Sequence, residues 1–302
     1  MFYKERSESL ELRMLRSLAP RMSLSEEEAK QYDNLKKGYE GECQFDEWIA
    51  GLPDGALIVN DLLFKHNNTI FQIDSLLITL RKIYLFEVKN YTGDIVINGD
   101  KWCMKSGSEI KNPLLQLQRS ESLLRQLFHH LKINLPIEAY LVFVNPDMMP
   151  YNAPPELPAI FHSQLGRFFG KLNSSISKLT PRHEKIAETL VAAQTTDSLF
   201  ENKAKYSFGN LRKGLICPKC GHFMVHEHRS ILSCGCGYVE LVDHSVLRMV
   251  DEYGLLFPER KVTTKDIYQW CGEEVANSAI RRILSNEYKL IGTTKRAYFI
   301  KK

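Results

Sequence analysis

The spacing of hydrophobic positions changes several times along the chain, and each change predicts a different kind of element. Residues 1–37 carry apolar positions at helical spacing, interrupted at Pro20, and Ser25 is followed by three glutamates, which is typical of a helix N-terminus. A further helix follows and ends in the turn-forming residues 51–55. The N-terminal part of the chain is therefore predicted to be helical.

After residue 55, runs of β-branched and aromatic residues replace the helical spacing. Four such runs predict antiparallel strands joined by short turns: residues 56–59, 69–79, 82–89 and 94–97. Asn112 and Pro113 then introduce a periodic, leucine-rich helix, and residues 137–144 predict one more strand. These elements predict an α/β domain, followed by a proline-rich surface connection over 145–158 and helices over 160–200.

Charged side chains interrupt two neighbouring predicted strands. Alternate residues of a strand share a face, so Glu87 and Lys89 point the same way, and the preceding antiparallel strand can place Asp74 beside them. Such groups are costly to bury without a partner. A divalent cation between Asp74 and Glu87 would offset that cost, because Mg²⁺ prefers oxygen ligands. The competing interpretation is an edge strand whose Glu87 and Lys89 face solvent, with Asp74 in a turn.

Four short motifs, in order and in register, bear on this choice. They are Gly38-Tyr39-Glu40-Gly41-Glu42, Gln72-Ile73-Asp74, Phe86-Glu87-Val88-Lys89-Asn90 and Asn112-Pro113-Leu114-Leu115-Gln116. With these motifs the sequence from about Lys37 to Asn145 resembles the nuclease-related domain family, NERD, a branch of the PD-(D/E)xK nuclease superfamily. The resemblance implies a PD-(D/E)xK nuclease-like mixed sheet flanked by helices, and a metal-dependent nuclease activity.

The resemblance also implies a role for each matching position. Asp74 and Glu87 would hold Mg²⁺ or Mn²⁺, with the Val88 carbonyl as a further ligand. Lys89 would activate or orient the attacking water and help to stabilise the charge that develops on phosphorus.

Two further motif positions are supporting candidates. Glu42 matches an additional acidic position of the superfamily, and Gln116 matches its polar residue on the helix after the core strands. From the residues alone, Gly38 and Gly41 would let their helix approach the sheet and bring Glu42 towards the site. The alternative is an ordinary solvated acid on an acidic helix. Asp61 is predicted to lie in a turn.

Four of the seven cysteines lie close together in sequence. Cys217 and Cys220 form a C-x₂-C pair, and Cys234 and Cys236 form a C-x-C pair. Thirteen residues separate the two pairs, and each pair is followed by glycine. Four thiolates at this spacing predict a closed, structural Zn²⁺ site that resembles a zinc ribbon. Three nearby histidines are alternative ligands: His222, His226 and His228.

Residues 243–302 predict three helices and a terminal strand pair, an order that resembles helix-turn-helix architecture with a wing. The helix over 274–285 turns its apolar residues inward and leaves two arginines outside. Modules of this kind bind nucleic acid or dock proteins. The predicted contacts to nucleic acid are Arg281 and Arg282 on the helix and Lys295 and Arg296 on the wing.

Composition narrows the class of protein. The 302 residues are 44% hydrophobic and 25% charged, which excludes collagen-like, disordered and disulfide-scaffold proteins. No apolar run approaches the ~18 residues of a membrane span, so a cytoplasmic protein without a membrane partner is expected. Residues 203–302 carry 17 Lys and Arg against 10 Asp and Glu, an excess that favours a polyanionic partner or reflects a solvated basic surface.

The sequence thus divides into five predicted segments. They are a helical arm (1–36), a NERD nuclease-like domain (37–150), a helical extension and linker (151–210), a zinc ribbon (211–242) and a winged-helix-like domain (243–302). Together they predict a Mg²⁺-dependent nuclease acting on DNA, with C-terminal modules that supply nucleic-acid affinity. The alternatives are a nucleic-acid-binding or regulatory protein on a non-catalytic nuclease fold, and a protein-interaction adaptor.

Overall fold

The structure, a computed structural model, describes residues 1–195, 206–228, 230–293 and 297–302. It divides into two compact units. The sheet unit contains Met1–Glu8 and Asn34–Leu199, and the cysteine unit contains Ser9–Asp33 and Phe200–Lys302. The five segments predicted from the sequence stay a prediction.

The described elements follow one another along the chain. They are β1 (Phe2–Lys4), α1 (Leu10–Leu18), α2 (Glu26–Ala50), β2 (Leu57–His66), β3 (Thr69–Ile78), β4 (Ile83–Lys89), β5 (Gly93–Asn98), β6 (Lys101–Met104), β7 (Glu109–Ile110), α3 (Pro113–His130), β8 (Ile137–Phe143), β9 (Met148–Tyr151), β10 (Ala159–Phe161), α4 (His162–Ser175), α5 (Pro181–Ala192), β11 (Val225–His228), β12 (Ile231–Ser233), β13 (Val239–Leu241), α6 (Val242–Leu256), α7 (Thr264–Trp270), α8 (Asn277–Glu287), β14 (Tyr288–Ile291) and β15 (Tyr298–Lys301).

A mixed six-stranded sheet in the order β1-β2-β3-β4-β8-β10 organises the sheet unit. Its central strands β2, β3 and β4 pair antiparallel, whereas β1, β8 and β10 pair parallel with their neighbours. The predicted α/β class with a mixed sheet flanked by helices is confirmed. Residues 145–158 were predicted as a surface connection, but they include β9, which joins β5, β6 and β7 in a second sheet.

Hydrophobic side chains cover both faces of the six-stranded sheet, because alternate residues of a strand point to opposite sides. Phe86 and Val142 pack with residues of α2 and α4 on one face. Leu85 and Leu141 pack with residues of α3, α5 and the second sheet on the other. Glu87 lies on the same face of the sheet as Leu85. The helix α3, which packs on that face, therefore approaches the charged end of β4.

Strand β2 does not end where the sequence indicated a turn. Asp61 lies within the strand with a φ of 51°, in the left-handed region that Asp tolerates better than most residues. Val59 and Leu62 therefore pack in the same core although their odd spacing would put them on opposite faces of a regular strand. Next to this irregularity, Ser75 Oγ donates to Asn60 Oδ1 at 2.6 Å. The local break in alternation leaves polar side chains inside the sheet.

The cysteine unit has its own hydrophobic core, to which α1, the cysteine-bearing loops and α6 to α8 contribute. Ser9 caps α1 by accepting from the Leu12 amide, and Ser25 and Glu28 form the reciprocal capping box at the start of α2. Three helices are followed by the antiparallel pair β14 and β15, and Val262 bridges to Phe299. Assignment of these elements to the winged-helix class stays a prediction. In the described part of the chain, no helix is both long and apolar enough to cross a bilayer.

A fully buried arginine holds the cysteine unit together. Arg21 donates to a Glu252 carboxylate oxygen at 2.7 Å and to the carbonyls of Arg212 and Gly214 at 2.7 and 3.1 Å. Its guanidinium also lies 3.9 Å from the centroid of the Trp270 ring. The helical segment that the sequence marked as an arm therefore supplies a central ion pair of this unit.

Replacing Arg21 with Met should destabilise the cysteine unit by about 3–5 kcal/mol, because Glu252 would remain buried without its cation. The free energy of unfolding can be followed by hydrogen exchange of peptides from α6 and α8 in the full chain. Arg13→Met, at an exposed position of α1, is the matched control. The double variant Arg21→Met/Glu252→Leu should recover most of the lost free energy of unfolding. If Arg21→Met alone is as stable as wild type, the account is contradicted.

Candidate active site and cysteine cluster

Asp74 and Glu87 lie opposite one another on β3 and β4. The two strands pair antiparallel as far as Ser75 and Phe86. Asp74 and Glu87 are the next residues of each strand, so continuing the register puts their side chains on the same face. An Asp74 carboxylate oxygen accepts from the Val88 amide at 2.8 Å. The carboxylate pair predicted from the sequence is therefore brought together, and both residues are buried.

Lys89 and Gln116 complete a hydrogen-bonded group around Glu87. Lys89 Nζ lies 2.6 Å from Glu87 Oε1 and 3.1 Å from Gln116 Oε1, and the Gln116 amide nitrogen donates to the same Glu87 oxygen. Asn112 caps α3 by accepting from the Leu114 amide, and Pro113 begins the helix, which sets Gln116 in its first turns. The choice of Gln116 on the basis of its motif agrees with this geometry.

Burial and mutual charge shift the ionisation of this group. Burial, with the charge of Asp74, raises the pKa of Glu87 to about 7, although Lys89 and Gln116 oppose the shift. Burial lowers the pKa of Lys89, but the charges of Glu87 and Asp74 outweigh it, so the net pKa lies above its ordinary value. Lys89 is therefore a cation at neutral pH, whereas Glu87, with a pKa of about 7, exchanges its proton near neutrality.

Glu42 approaches the same site from α2. Burial raises the pKa of Glu42 to about 8, and the nearby charge of Asp74 adds to this effect while Arg6 opposes it. Its carboxylate accepts from Arg6 Nη1 at 2.8 Å. The alternative of a solvated acid on an acidic helix does not describe its position, since only 20% of the side chain is exposed.

One contact explains how α2 comes so close to the end of β4. A Cβ atom at Gly41 would lie 2.5 Å from the Cβ of Asn90, the residue that follows Lys89, so only glycine fits. Asn90 also donates to the Lys37 carbonyl at 2.8 Å. Gly38 was predicted to serve the same approach, but no atom lies within 4 Å of its Cβ position.

Sequence reasoning missed Lys4, Arg6, Asp46 and Asp61, four charged residues of the site. Arg6 reaches it from the segment after β1 and also binds Asp61, which the sequence indicated as a turn residue. Asp61 lies in β2, and its other carboxylate oxygen accepts from the Ser7 amide at 2.5 Å. An Asn-Asp pair amid apolar positions was the available signal for Asp61, whereas nothing near Arg6 in the sequence distinguishes it from a surface arginine.

The donor chemistry fits a hard divalent cation. With every group ionised, the network has five carboxylates (Glu42, Asp46, Asp61, Asp74 and Glu87) and three cations (Lys4, Arg6 and Lys89), a formal excess of two negative charges. Asp74 and Glu87, with the Val88 carbonyl between Glu87 and Lys89, are the residues that could hold Mg²⁺ or Mn²⁺. Mg²⁺ sites typically use one or two carboxylates and keep several waters, so a carboxylate pair suffices.

The four clustered cysteines form a separate group that could hold a metal ion. Within the described residues, they are the one set of three or more His, Cys, Asp or Glu side chains whose ligand atoms all lie within 4.8 Å of one another. The Sγ atoms of Cys217 and Cys236 are 3.7 Å apart, and those of Cys220 and Cys234 are 3.3 Å apart. A tetrahedral zinc site with Zn–S bonds of ~2.3 Å would separate its sulfurs by about 3.8 Å. The arrangement fits the predicted zinc ribbon, and His222, His226 and His228 are not part of the cluster.

Glycines close both cysteine turns and aim backbone amides at the sulfurs. Gly221 and Gly237 have φ values of 75° and 85°, which other L residues rarely adopt. A hydrogen bond from the Tyr238 amide lowers the pKa of Cys236 to about 7, whereas at Cys220 the His222 amide is outweighed by the neighbouring thiols, which raise the pKa of Cys220.

Loss of any one thiolate should release the metal, because a closed site needs all four ligands. Purified wild type should carry about one zinc per chain by plasma mass spectrometry. Cys220→Ser should carry far less and should lower the melting temperature of the cysteine unit. Cys103→Ser, outside the cluster, is the control. Full zinc content in Cys220→Ser, Cys234→Ser and Cys236→Ser alike would contradict the assignment.

The C-terminal helices contain a groove with basic residues on its walls. Its volume is about 820 Å³, and Lys265, Asn277 and Arg281 are among the residues that line it. Arg282 instead binds both carboxylate oxygens of Asp243, at 2.9 and 3.0 Å. The other two predicted contacts, Lys295 and Arg296, lie outside the described residues.

Comparison with protein families bears on the sheet unit alone. Residues 37–144 match the family model described as the nuclease-related domain, NERD. Comparisons with curated proteins and with solved structures gave no match. The matched range contains Glu42, Asp74, Glu87, Lys89 and Gln116, which meet in the geometry described above. The chain therefore carries a nuclease-related domain of the NERD family across residues 37–144.

Proposed function

We propose that this protein is a divalent-metal-dependent nuclease that hydrolyses phosphodiester bonds in DNA. Membership of residues 37–144 in the nuclease-related family supports a nuclease-like site. The observation that carries the proposal is the group formed by Glu87, Lys89 and Gln116 opposite Asp74, with a Glu87 side chain that is only 2% exposed. A buried acidic pair of this kind is costly to maintain as mere scaffold.

Hydrolysis joins a water oxygen to phosphorus and breaks the bond to a sugar oxygen, which leaves with a proton. Asp74, Glu87 and the Val88 carbonyl would hold Mg²⁺, which supplies Lewis-acid stabilisation of the phosphate and a more acidic water when bound. Lys89, as an ammonium, orients the attacking water and stabilises negative charge on the phosphate oxygens. Gln116 hydrogen-bonds to both Lys89 and Glu87 and so holds the two side chains in position.

The cysteine unit supplies nucleic-acid affinity in this proposal. The excess of basic residues in the C-terminal third supports a polyanionic partner. Arg281 and Lys265 line one groove and are suited to phosphate contacts. Arg282 can also contribute, because its pair with Asp243 is exposed to solvent and a phosphate can compete for the guanidinium.

Glu87→Gln and Asp74→Asn should each lower the rate of cleavage by about 100-fold or more, since each neutralises one oxygen ligand. Cleavage of circular DNA, linear DNA and RNA should be measured with Mg²⁺, with Mn²⁺ and with EDTA. Glu47→Gln, an exposed acid on α2, is the matched control and should cut like wild type.

Two results would overturn the nuclease assignment. Cleavage that survives in both purified variants would show that another site, or a contaminant, cuts. Tight binding by the wild type without turnover under any divalent metal would favour the alternative of a nucleic-acid-binding or regulatory protein on a non-catalytic nuclease fold.

Arg281→Gln should weaken DNA binding about equally for unrelated sequences and should reduce the slope of log affinity against log salt by about 1. The slope can be measured by fluorescence anisotropy with Mg²⁺ replaced by Ca²⁺ to prevent cleavage. Arg182→Gln, an exposed position on α5, is the control. An affinity that does not change with salt would instead indicate a protein-docking module.

A further inference from the structure

Arg6 lies outside the residues that match the family, yet its side chain reaches the centre of the acidic site. Only 3% of that side chain is exposed. Nε and Nη2 form a fork on the two carboxylate oxygens of Asp46, at 2.8 and 3.0 Å. Nη1 lies 2.8 Å from Glu42 Oε2, 2.9 Å from Asp61 Oδ1 and 3.2 Å from the Asp74 carbonyl. One guanidinium thus joins α2 to β2 and β3.

These contacts have an electrostatic consequence. Glu42, Asp46 and Asp61 surround a single guanidinium, which stays charged at every accessible pH. Without it, three partly buried carboxylates would repel one another and the charge of Asp74. Glu42 has a longer side chain than the three aspartates and therefore has the most freedom to turn away.

A second set of contacts links Arg6 to the Asp74 carbonyl and to the side chain of the next residue, Ser75. The Asp74 carbonyl accepts from Arg6 while the carboxylate of the same residue accepts from the Val88 amide. Asp46, held by the fork, accepts from Asn60 Nδ2 at 3.0 Å, and Asn60 in turn accepts from Ser75 Oγ. Hydrogen bonds therefore hold the carbonyl and the carboxylate of Asp74 and the hydroxyl of Ser75.

The position of β1 explains how Arg6 is delivered. Phe2 and Lys4 pair in parallel with β2 at the edge of the sheet, and the Met1 ammonium donates to the Ala56 carbonyl at 3.1 Å. Lys4 Nζ donates to the Asn60 and Asp61 carbonyls, both at 2.7 Å. The first residues of the chain are thus anchored directly beside the acidic site.

We propose that Arg6 is a positioning residue of the nuclease site: it holds Glu42 beside Asp74, fixes the Asp74 backbone, and so sets the affinity for the divalent cation and the turnover number. The inference rests on the proposed nuclease function and adds to it a residue from outside the family match. Arg6 acts through Glu42 and Asp74 and does not contact nucleic acid.

Arg6→Gln tests this by removing the charge and most of the fork. Mn²⁺ affinity, measured by calorimetry on the full zinc-loaded chain, should fall about 10–100-fold, as is typical when a group that orients metal ligands is lost. The turnover number should fall over the same range while KM stays within about twofold. Arg6→Lys keeps the charge without the fork and should be intermediate. Arg81→Gln, an exposed arginine of the same unit, should match wild type.

A double-mutant cycle separates positioning from a general loss of stability. If Arg6 acts through Glu42, then Arg6→Gln/Glu42→Gln should lose no more activity than the worse of the two single variants. The double variant should also melt above Arg6→Gln, because it no longer leaves Glu42 as an unpaired carboxylate.

Several results would overturn the role of Arg6. They are wild-type Mn²⁺ affinity in Arg6→Gln, a rise in KM with unchanged turnover, and additive losses in the double variant. If near-ultraviolet circular dichroism shows that Arg6→Gln does not fold, the test rests on Arg6→Lys. Wild-type Mn²⁺ affinity and turnover in Arg6→Lys would refute a role for the forked contact. A wild type that cuts no nucleic acid would refute the nuclease function alone, because the Mn²⁺ affinities still test Arg6.

Discussion

Negative charge that is buried at one end of a sheet must be balanced, and this constraint shapes the sheet unit. Five carboxylates meet where β2, β3, β4 and α2 come together. Arg6 and Lys89 pair with them, and Lys4 binds the Asp61 carbonyl beside them. Water cannot screen these charges fully, since Glu87 and Asp74 are buried. The remaining negative charge matches a divalent cation. Burial, together with the charge of Asp74, accounts for the raised pKa values of Glu87 and Glu42.

Several features of the chain serve this balance. Gly41 lets α2 come within contact of Asn90, so that Glu42 reaches the site. The left-handed backbone at Asp61 turns polar groups of β2 inward. Strand β1 adds an edge to the sheet and delivers Arg6. Gly41, the left-handed backbone at Asp61 and strand β1 each cost conformational freedom or strain, and all three act at the acidic site.

Sequence patterns predicted the parts of the site that rest on local periodicity. Glu87 and Lys89 share a face because a strand alternates, and Gln116 follows a proline-initiated helix, so both could be anticipated. Asp61 was placed in a turn because polar residues within a strand break the alternation on which strand prediction depends. Arg6 gave no signal, since its partners lie more than thirty positions away in the sequence. The contribution of Arg21 to the cysteine unit was hidden for the same reason.

The cysteine cluster shows the opposite case. Cys217, Cys220, Cys234 and Cys236 lie near one another in sequence, and tight turns with glycine bring them together without help from distant elements. Local chemistry was sufficient to predict that cluster. The acidic site depends instead on long-range pairing, so its motifs had to be interpreted through a family resemblance.

The central claim is that Asp74 and Glu87 share one hard divalent cation. The most direct test is a crystal of the full chain soaked in Mn²⁺, with anomalous scattering recorded at the manganese edge. The account predicts a peak about 2.0–2.3 Å from carboxylate oxygens of both residues, and no such peak in Asp74→Asn. A map with no manganese between the two carboxylates, while the protein binds Mn²⁺ elsewhere, would contradict it.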